Sequence, residues 1–465
     1  MYETLDTPYT ITGCLLSACA KTPASDSVLI DNNGSGEVNA DTAPSSPNTD
    51  TVEEPPSESD YVPPDYVVPD YSSHKETYAD EEMYITELVD LKTLHLNGRA
   101  FAWEVEPADW SASVWDGENA DIWGYDVRSC DVSAEDFSGI EDWNVISFNS
   151  DTVWPAADKM PEDMDPEAIL ERSKDPGLGI RALHEQGITG EGVGIAIIDQ
   201  GLYTGHEQYA ENLMVYECLH ASDGQDAQMH GSAVASIAVG KDVGVAPGAK
   251  LYYIACDFGH WTDYGYEYDL SILADGIYRV LEINRSLPQE DNIRVISVSI
   301  GYSPDTPGYQ ELADAVQAAA EEGILVLTAS SNRFYPGFNF CGMSREGLAD
   351  PNDPQAYRPA AWLADIRPAV TDDILVPMGG RAYAGCTGET DYEWMYSGGM
   401  SWAVPWLSGF YALCCQAAPD CAVEQFFQVV QDTASVNLIH ENAYGKCNYG
   451  KIIDPAAVIE ELKAN

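Results

Sequence analysis

Ser401 stands in Gly398-Gly399-Met400-Ser401-Trp402-Ala403-Val404-Pro405, with an apolar run after it (Trp406, Leu407, Phe410, Tyr411, Leu413). The glycines allow a tight turn and the close approach of another chain. The apolar run predicts a buried helix, so Ser401 would sit at its mouth, in the setting of a nucleophile. Taken alone, the motif reads equally as a Gly/Ser turn ahead of a core helix. Three upstream residues change the balance. Asp199 ends the apolar run Gly192-Val193-Gly194-Ile195-Ala196-Ile197-Ile198 and is followed by Gln200-Gly201. Such a run fits a strand buried on both faces, and its C-terminal end is the edge where open α/β sheets gather ligand sites. His230 heads His230-Gly231-Ser232-Ala233-Val234, in the first turn of a predicted helix, and Asn332 closes Ser330-Ser331-Asn332 after a further apolar run. A carboxylate, an imidazole and a hydroxyl are the groups that nucleophilic catalysis uses.

The elements that must position these groups alternate from about Pro166 onward, which predicts an α/β domain with a parallel sheet. Residues 178–187 read as a helix ending at a glycine, and 251–255 as a strand entered through Gly244-Val245-Ala246-Pro247-Gly248-Ala249. An aromatic, acidic loop follows (Phe258, Trp261, Tyr264, Tyr266, Tyr268), then a helix from Leu270 to about Arg285. Residues 294–302 read as a strand, 310–322 as a helix and 323–329 as a strand, with a loop-rich stretch from there to about Gly398.

The chain has 465 residues, 45% of them hydrophobic, enough for one large domain with accessory segments. Its 77 acidic and 22 basic residues give a net charge of −55, which argues against a nucleic-acid partner. The imbalance is not confined to a tail: residues 1–75 hold 13 acidic and 2 basic side chains, net −11, leaving −44 for the rest. A surface this acidic suits solubility, cation binding or a salty or extracellular setting. The 11 cysteines show no CxxC pair and no metal-ligand spacing. Cys414-Cys415 falls within the predicted serine helix, where buried free thiols are expected; disulfides elsewhere cannot be assigned from the sequence.

Residues 1–19 end in Leu16-Ser17-Ala18-Cys19, which resembles a bacterial lipobox with Cys19 as the lipidated residue. No Lys or Arg precedes Lys21, and Glu3 and Asp6 stand where positive charge is wanted, so an ordinary disordered N-terminus is the competing reading. Residues 20–75 are rich in Ser, Thr, Pro, Asp and Asn and predict a disordered linker. Within them the near-repeat Tyr61-Val62-Pro63-Pro64-Asp65, Tyr66-Val67-Val68-Pro69-Asp70 reads as an extended stalk. Residues 76–165 form an accessory segment. In it four five-residue units over 120–139, centred on Ile122, Val127, Val132 and Phe137 and each with an aspartate ahead of its centre, resemble pentapeptide repeats. Four units make about one coil, which would have to pack on a neighbour.

Over residues 178–457 the chain resembles the subtilisin-like serine proteases (subtilases). The order Asp, His, Ser is that of subtilisin. The resemblance is carried by Ile197-Ile198-Asp199-Gln200-Gly201, His230-Gly231-Ser232, Gly244-Val245-Ala246-Pro247, Ser299-Ile300-Gly301, the Ser401 motif and Tyr449-Gly450-Lys451-Ile452-Ile453-Asp454-Pro455. It implies a three-layer α/β/α domain over 166–465 and a serine endopeptidase acting on protein or peptide substrates at the cell surface or outside the cell. It also implies roles: Ser401 as nucleophile, His230 as base and then acid, and Asp199 holding the imidazole. Asn332 and the Ser401 N–H would bind the oxyanion, and Ser299, Ile300 and Gly301 would pair with an extended substrate. No cofactor is needed for that chemistry; structural calcium is common in the family, but no ligand set can be assigned.

The departures are specific. The family usually has Thr-Ser-Met-Ala where this chain has Met400-Ser401-Trp402-Ala403, and Ala233 replaces a common histidine. Ser331 replaces a usual glycine and would put a Cβ where the backbone is expected to need positive φ. None of these removes a catalytic group. His206 and His220 lie between Asp199 and His230 but head no Gly-Ser-Ala helix start, so both are expected at the surface, with Asp223 and Asp226 solvated. The competing functional readings are a catalytically idle subtilase-fold binding or regulatory module, and an esterase with a short closed pocket.

Overall fold

The computed structural model describes residue 108 and residues 125–219, 227–256, 258–262, 265–368 and 372–464. Cys19, the stalk repeat, the first five-residue unit, His220, Asp223 and Asp226 lie outside the described residues. Strand β1 (Tyr125–Asp126) runs parallel to β2 (Ile146–Asn149), with Tyr125 opposite Ile146. The amides of Val127, Val132 and Phe137 donate to the carbonyls of Ser147, Val153 and Lys159 at 2.9, 2.9 and 2.8 Å. Each partner lies one circuit further along, so the chain winds as a coil with those three apolar side chains turned inward and buried. Asp131 and Asp136 accept the amides of Ser133 and Ser138, both at 3.0 Å, which turns the corners. Inside the coil Phe148 packs on Trp154 and on Trp394, from a strand far along the chain (5.3 and 5.6 Å between centroids).

Two helices, α1 (Pro166–Ser173) and α2 (Ile180–Glu185), lead into the main sheet. Asp165 caps α1 by accepting the Ala168 amide, with Pro166 at the first helical position. The sheet comprises β3 (Gly194–Asp199), β4 (Leu213–Cys218), β5 (Lys250–Ala255), β8 (Ile293–Val298) and β9 (Leu325–Thr328), in the order β4-β5-β3-β8-β9. All its pairings are parallel. Every residue of β3 is buried, as its unbroken apolar run requires. Helix α3 (Met229–Val239) precedes β5, and α4 (Leu270–Arg285) and α5 (Tyr309–Glu321) flank β8 in sequence. Asp269 caps α4 through the Ser271 amide, so that helix has the bounds its apolar spacing predicts.

Two expectations are corrected. The aromatic stretch after β5 is not a loop: β6 (Gly259–Thr262) and β7 (Gly265–Tyr268) pair as an antiparallel hairpin, because its aromatic residues carry strand propensity that the interspersed Gly and Asp disguise. The strand expected over 294–302 ends at Val298, leaving 299–301 beyond it.

The stretch read as loop-rich holds much of a second sheet. It contains β10 (Phe340–Arg345), β11 (Tyr357–Pro359), β12 (Ile374–Gly379), β13 (Arg381–Ala384) and β14 (Tyr392–Met395). The strands β15 (Val436–Asn442) and β16 (Gly445–Ile452) complete the order β11-β10-β12-β16-β15. Gly342, Pro377 and Gly379 inside these short strands look like turn residues in a sequence. β14 pairs with β13 and also with β2, Trp394 opposite Phe148, which joins the coil to the body of the protein. Helix α6 (Met400–Ala417) is buried from Ser401 to Cys415 and packs on α3 and β8, with α7 (Val423–Thr433) and α8 (Pro455–Ala464) after it. No described helix is long and apolar enough to cross a membrane. The eight cysteines whose side chains are described are free, Cys414 and Cys415 buried among them.

Candidate active site

Three neighbouring strands deliver residues to one edge of the main sheet: Asp199 is the last residue of β3, Ser299 follows β8, and Asn332 lies in a short 3-10 turn (Ser331–Arg333) after β9. Asp199 is fully buried. Its Oδ1 accepts the Gln200 amide at 2.8 Å and meets His230 Nδ1 at 2.6 Å, while its Oδ2 has no partner. A carboxylate buried with an unpartnered oxygen is costly, and the imidazole beside it can bring a compensating charge. His230 is 9% exposed and sits in the first turn of α3, every residue of which is buried. Gly231 makes this approach feasible: a Cβ there would lie 2.6 Å from Tyr253 Oη and 2.7 Å from the Gln200 carbonyl. With the Nδ1 proton donated to Asp199, Nε2 is the acceptor nitrogen of the ring.

Ser401 is the second residue of α6 and is 5% exposed. Pro405, one turn on, lacks the N–H that would bond the Ser401 carbonyl in a regular helix. That carbonyl accepts the Ser299 hydroxyl instead, at 2.9 Å, and Ser401 Oγ donates back to the Ser299 carbonyl at 3.2 Å. The structure thus brings Asp199 and His230 together and locks Ser401 to Ser299. No hydrogen bond joins Ser401 to His230 among the described residues. Trp402 places its indole against the His230 ring (centroids 5.2 Å apart, planes at 41°) and against Tyr383 (5.1 Å), so the residue that departs from the usual motif packs on the imidazole.

Asn332 is exposed and makes no hydrogen bond to a described residue. The strain expected at Ser331 is absent: the positive-φ non-glycine residues described are Ser129, Asp163 and Leu178. Ser331 Oγ instead accepts the Thr328 amide at 2.8 Å and donates to the Thr328 carbonyl at 2.7 Å, closing the turn with its own side chain. Of the three residues expected to pair with substrate, Ile300 has both backbone groups engaged, its N–H with Val298 O and its carbonyl with the Ala329 amide. Gly301 is partly exposed beyond them.

His206 is not a surface residue. It is fully buried, its Nε2 is 2.7 Å from the Asp391 carbonyl, its Nδ1 accepts the Gln208 amide at 3.2 Å, and its ring stacks on Tyr209. Burial holds it below the ordinary histidine pKa. The site residue that sequence reasoning under-read is Ser299, assigned to substrate pairing alone; the signal available was Pro405, which had to free the Ser401 carbonyl for some donor. No group of three or more His, Cys, Asp or Glu side chains that could hold a metal ion occurs among the described residues.

A parallel α/β sheet that gathers a buried Asp–His pair beside a serine at the start of a central helix has the architecture of a serine hydrolase. Residues 190–364 match the model of the subtilase family. That span includes Asp199, His230 and Asn332 and ends before Ser401. Subtilisin BL of Lederbergia lenta is 27% identical over 278 residues, covering 57% of this chain and 91% of that protein. M-protease of Shouchella clausii is also 27% identical, and the chain spans 64% of it. The subtilisin-like protease PopC of Myxococcus xanthus is 25% identical over 312 residues, covering 61% of this chain and 64% of that one. A solved protease of Pseudoalteromonas arctica aligns with 64% of this chain and 98% of its own, at 20% identity and a TM-score of 0.43. Over the span that holds Asp199, His230 and Asn332 the chain is therefore similar to subtilisin-like serine proteases.

Proposed function

We propose that the chain is a serine endopeptidase that cleaves extended polypeptide segments with Ser401, His230 and Asp199 as its triad. The observation that carries this reading is the 2.6 Å contact between His230 Nδ1 and the buried Asp199 carboxylate, with Trp402 of the serine-bearing helix packed on the same imidazole. On substrate binding the Ser401 hydroxyl leaves the Ser299 carbonyl and turns to His230 Nε2; catalytic hydrogen bonds are often unmade before substrate arrives. Ser401 Oγ then attacks the scissile carbonyl as Nε2 takes its proton, and Asp199 stabilises the imidazolium. The Ser401 N–H and the Asn332 side-chain amide bind the oxyanion, each such donor contributing about 3 kcal/mol to barrier lowering. The proton passes from His230 to the leaving amine, and water, activated by the same ring, releases the acyl group from Ser401.

Substrates are protein segments that can lie extended past Ser299, Ile300 and Gly301, with Gly301 the residue of the three best exposed for pairing. We read 166–465 as the peptidase domain, 76–165 as an accessory segment, 20–75 as a linker and Cys19 as a lipid attachment point, which together place the enzyme at the cell surface or outside the cell. The acid-rich composition and the lipobox-like Leu16-Ser17-Ala18-Cys19 support that location.

The bond between Ser401 Oγ and Ser299 O is the observation that favours a second reading, an idle binding module. Incubation with an unfolded, labelled protein such as reduced casein separates them. Internal cleavage that disappears in Ser401→Ala supports the endopeptidase. Hydrolysis of simple esters without cleavage of any peptide bond would replace it with the esterase, and no turnover of either would leave the binding module.

A further inference from the structure

Arg345 ends β10 and Arg381 opens β13, directly after β12. β10 and β12 are parallel neighbours with Ser344 opposite Gly379, so the two arginines emerge side by side from the same end of the second sheet. Gly380 brings them together: it has φ +69°, and a Cβ there would lie 1.9 Å from the Arg345 carbonyl, so only glycine lets the chain cross the end of β10 so closely. The side chains do not escape to solvent. Arg345 is 2% exposed and Arg381 3%. Arg381 Nη2 donates to the Val243 carbonyl at 2.8 Å. Four other guanidinium nitrogens, Nη1 and Nη2 of Arg345 and Nε and Nη1 of Arg381, are buried without a hydrogen-bond partner.

The groups around them supply one counter-charge for two cations. Tyr357, the cross-strand partner of Arg345, packs beside both guanidiniums and donates its hydroxyl proton to the Pro351 carbonyl at 2.8 Å; its oxygen interacts with Arg345 but carries no charge to offset it. Asp175 is the carboxylate acting on both, and its oxygens are committed to the Gly177 amide at 2.8 Å and the Asn352 side chain at 3.2 Å. Arg172 adds a further positive charge beside Arg345. Burial, and then the neighbouring Arg345, push Arg381 down to about 9, still above neutral pH, so both groups are cations in a dry interior. With one carboxylate for two cations and four donors unmade, a further anion among them would offset the cost of burial.

We propose that Arg345 and Arg381 form a buried site for a small inorganic monoanion of halide size, held by their four otherwise unpartnered N–H groups. Each of those nitrogens is sealed from solvent, which suits a compact ion and excludes an organic carboxylate arriving from outside. The ion would tie β10 and β13 together, and with them the segment 172–181 that leads into α2 and the Val243 turn that follows α3.

The test is thermal unfolding of the full chain as chloride replaces gluconate at constant ionic strength. Binding to the folded state alone predicts a melting temperature that rises with chloride and saturates, bromide substituting for chloride and Arg381→Met abolishing the dependence. Because that variant can fail to fold, a bromide-soaked crystal of the unmodified protein gives an independent readout: an anomalous peak between Arg345 and Arg381. A melting temperature indifferent to the anion overturns the proposal. So does a chloride response that persists in folded Arg345→Met or Arg381→Met, and so do bromide peaks confined to the surface, an adventitious ion only.

Discussion

Pro405 decides how Ser401 is held. By withholding the N–H that would bond the Ser401 carbonyl, it hands that carbonyl to the Ser299 hydroxyl at 2.9 Å, and the backbone of the proposed nucleophile, which would also carry an oxyanion donor, is fixed from outside its own helix. Ser299 is therefore a positioning residue. Ser299→Ala leaves a buried carbonyl unpartnered, a cost of about 1–3 kcal/mol. If about half of it falls on the transition state, kcat falls about two- to tenfold while KM stays nearly constant, and Ser299→Thr, which keeps the hydroxyl, recovers most of the loss. Steady-state kinetics on a peptide substrate check this, and an unchanged kcat in a folded Ser299→Ala would refute it. At this scale the sequence discloses Asp199, His230 and Ser401 through their neighbours, because small residues and apolar runs are local signals. It does not disclose the burial of His206, which depends on a carbonyl 185 positions away, or the way Ser331 closes its own turn without positive φ.

Among the elements, the junction between coil and body carries buried carboxyls that respond to pH. Arg128, in the coil, donates to Glu393 Oε2 in β14 at 2.7 Å and pairs with Asp126 through Nε and Nη2. Glu393 is fully buried, and burial pushes its carboxyl up to about 7 despite Arg128 beside it. Asp391, two residues earlier and just ahead of β14, is pushed up to about 6, again by burial. A carboxyl whose folded pKa is raised binds protons more readily when folded than when unfolded. The contribution of Glu393 to stability is therefore greatest in acid and falls as pH rises from about 4.5 through about 7, then levels off. Urea midpoints between pH 5 and pH 8 should show this fall, and Glu393→Gln should flatten it. An equal slope in the variant would show that Glu393 does not titrate in that window. The buried apolar residues of this coil, Val127, Val132 and Phe137, are visible in the sequence as a five-residue spacing. Its docking strand is not, since Tyr392-Glu393-Trp394-Met395 mixes a charge into four buried positions and its pairing with β2 spans most of the chain.

Across the whole molecule, charge and core are arranged in opposition. The net charge of −55 is legible at once; Arg128, Arg279, Arg345 and Arg381 are buried along with Asp199, Glu217, Asp291, Asp391 and Glu393, so the buried charges nearly cancel and the imbalance is not hidden in the core. A surface of that sign repels nucleic acid and draws cationic chains. The α/β architecture is legible because strands such as β3 are apolar throughout and helices such as α4 are capped and amphipathic. The second sheet is hidden because its strands are short, carry Gly and Pro, and pair with partners remote in sequence. The account rests on one claim that all three scales serve, that Ser401 is an activated nucleophile. It is tested most directly by reacting the purified, folded chain with a fluorophosphonate probe and locating the label by mass spectrometry. The account predicts one adduct, on Ser401, absent from Ser401→Ala and greatly slowed in His230→Ala. A folded chain that takes no label on Ser401 would contradict it.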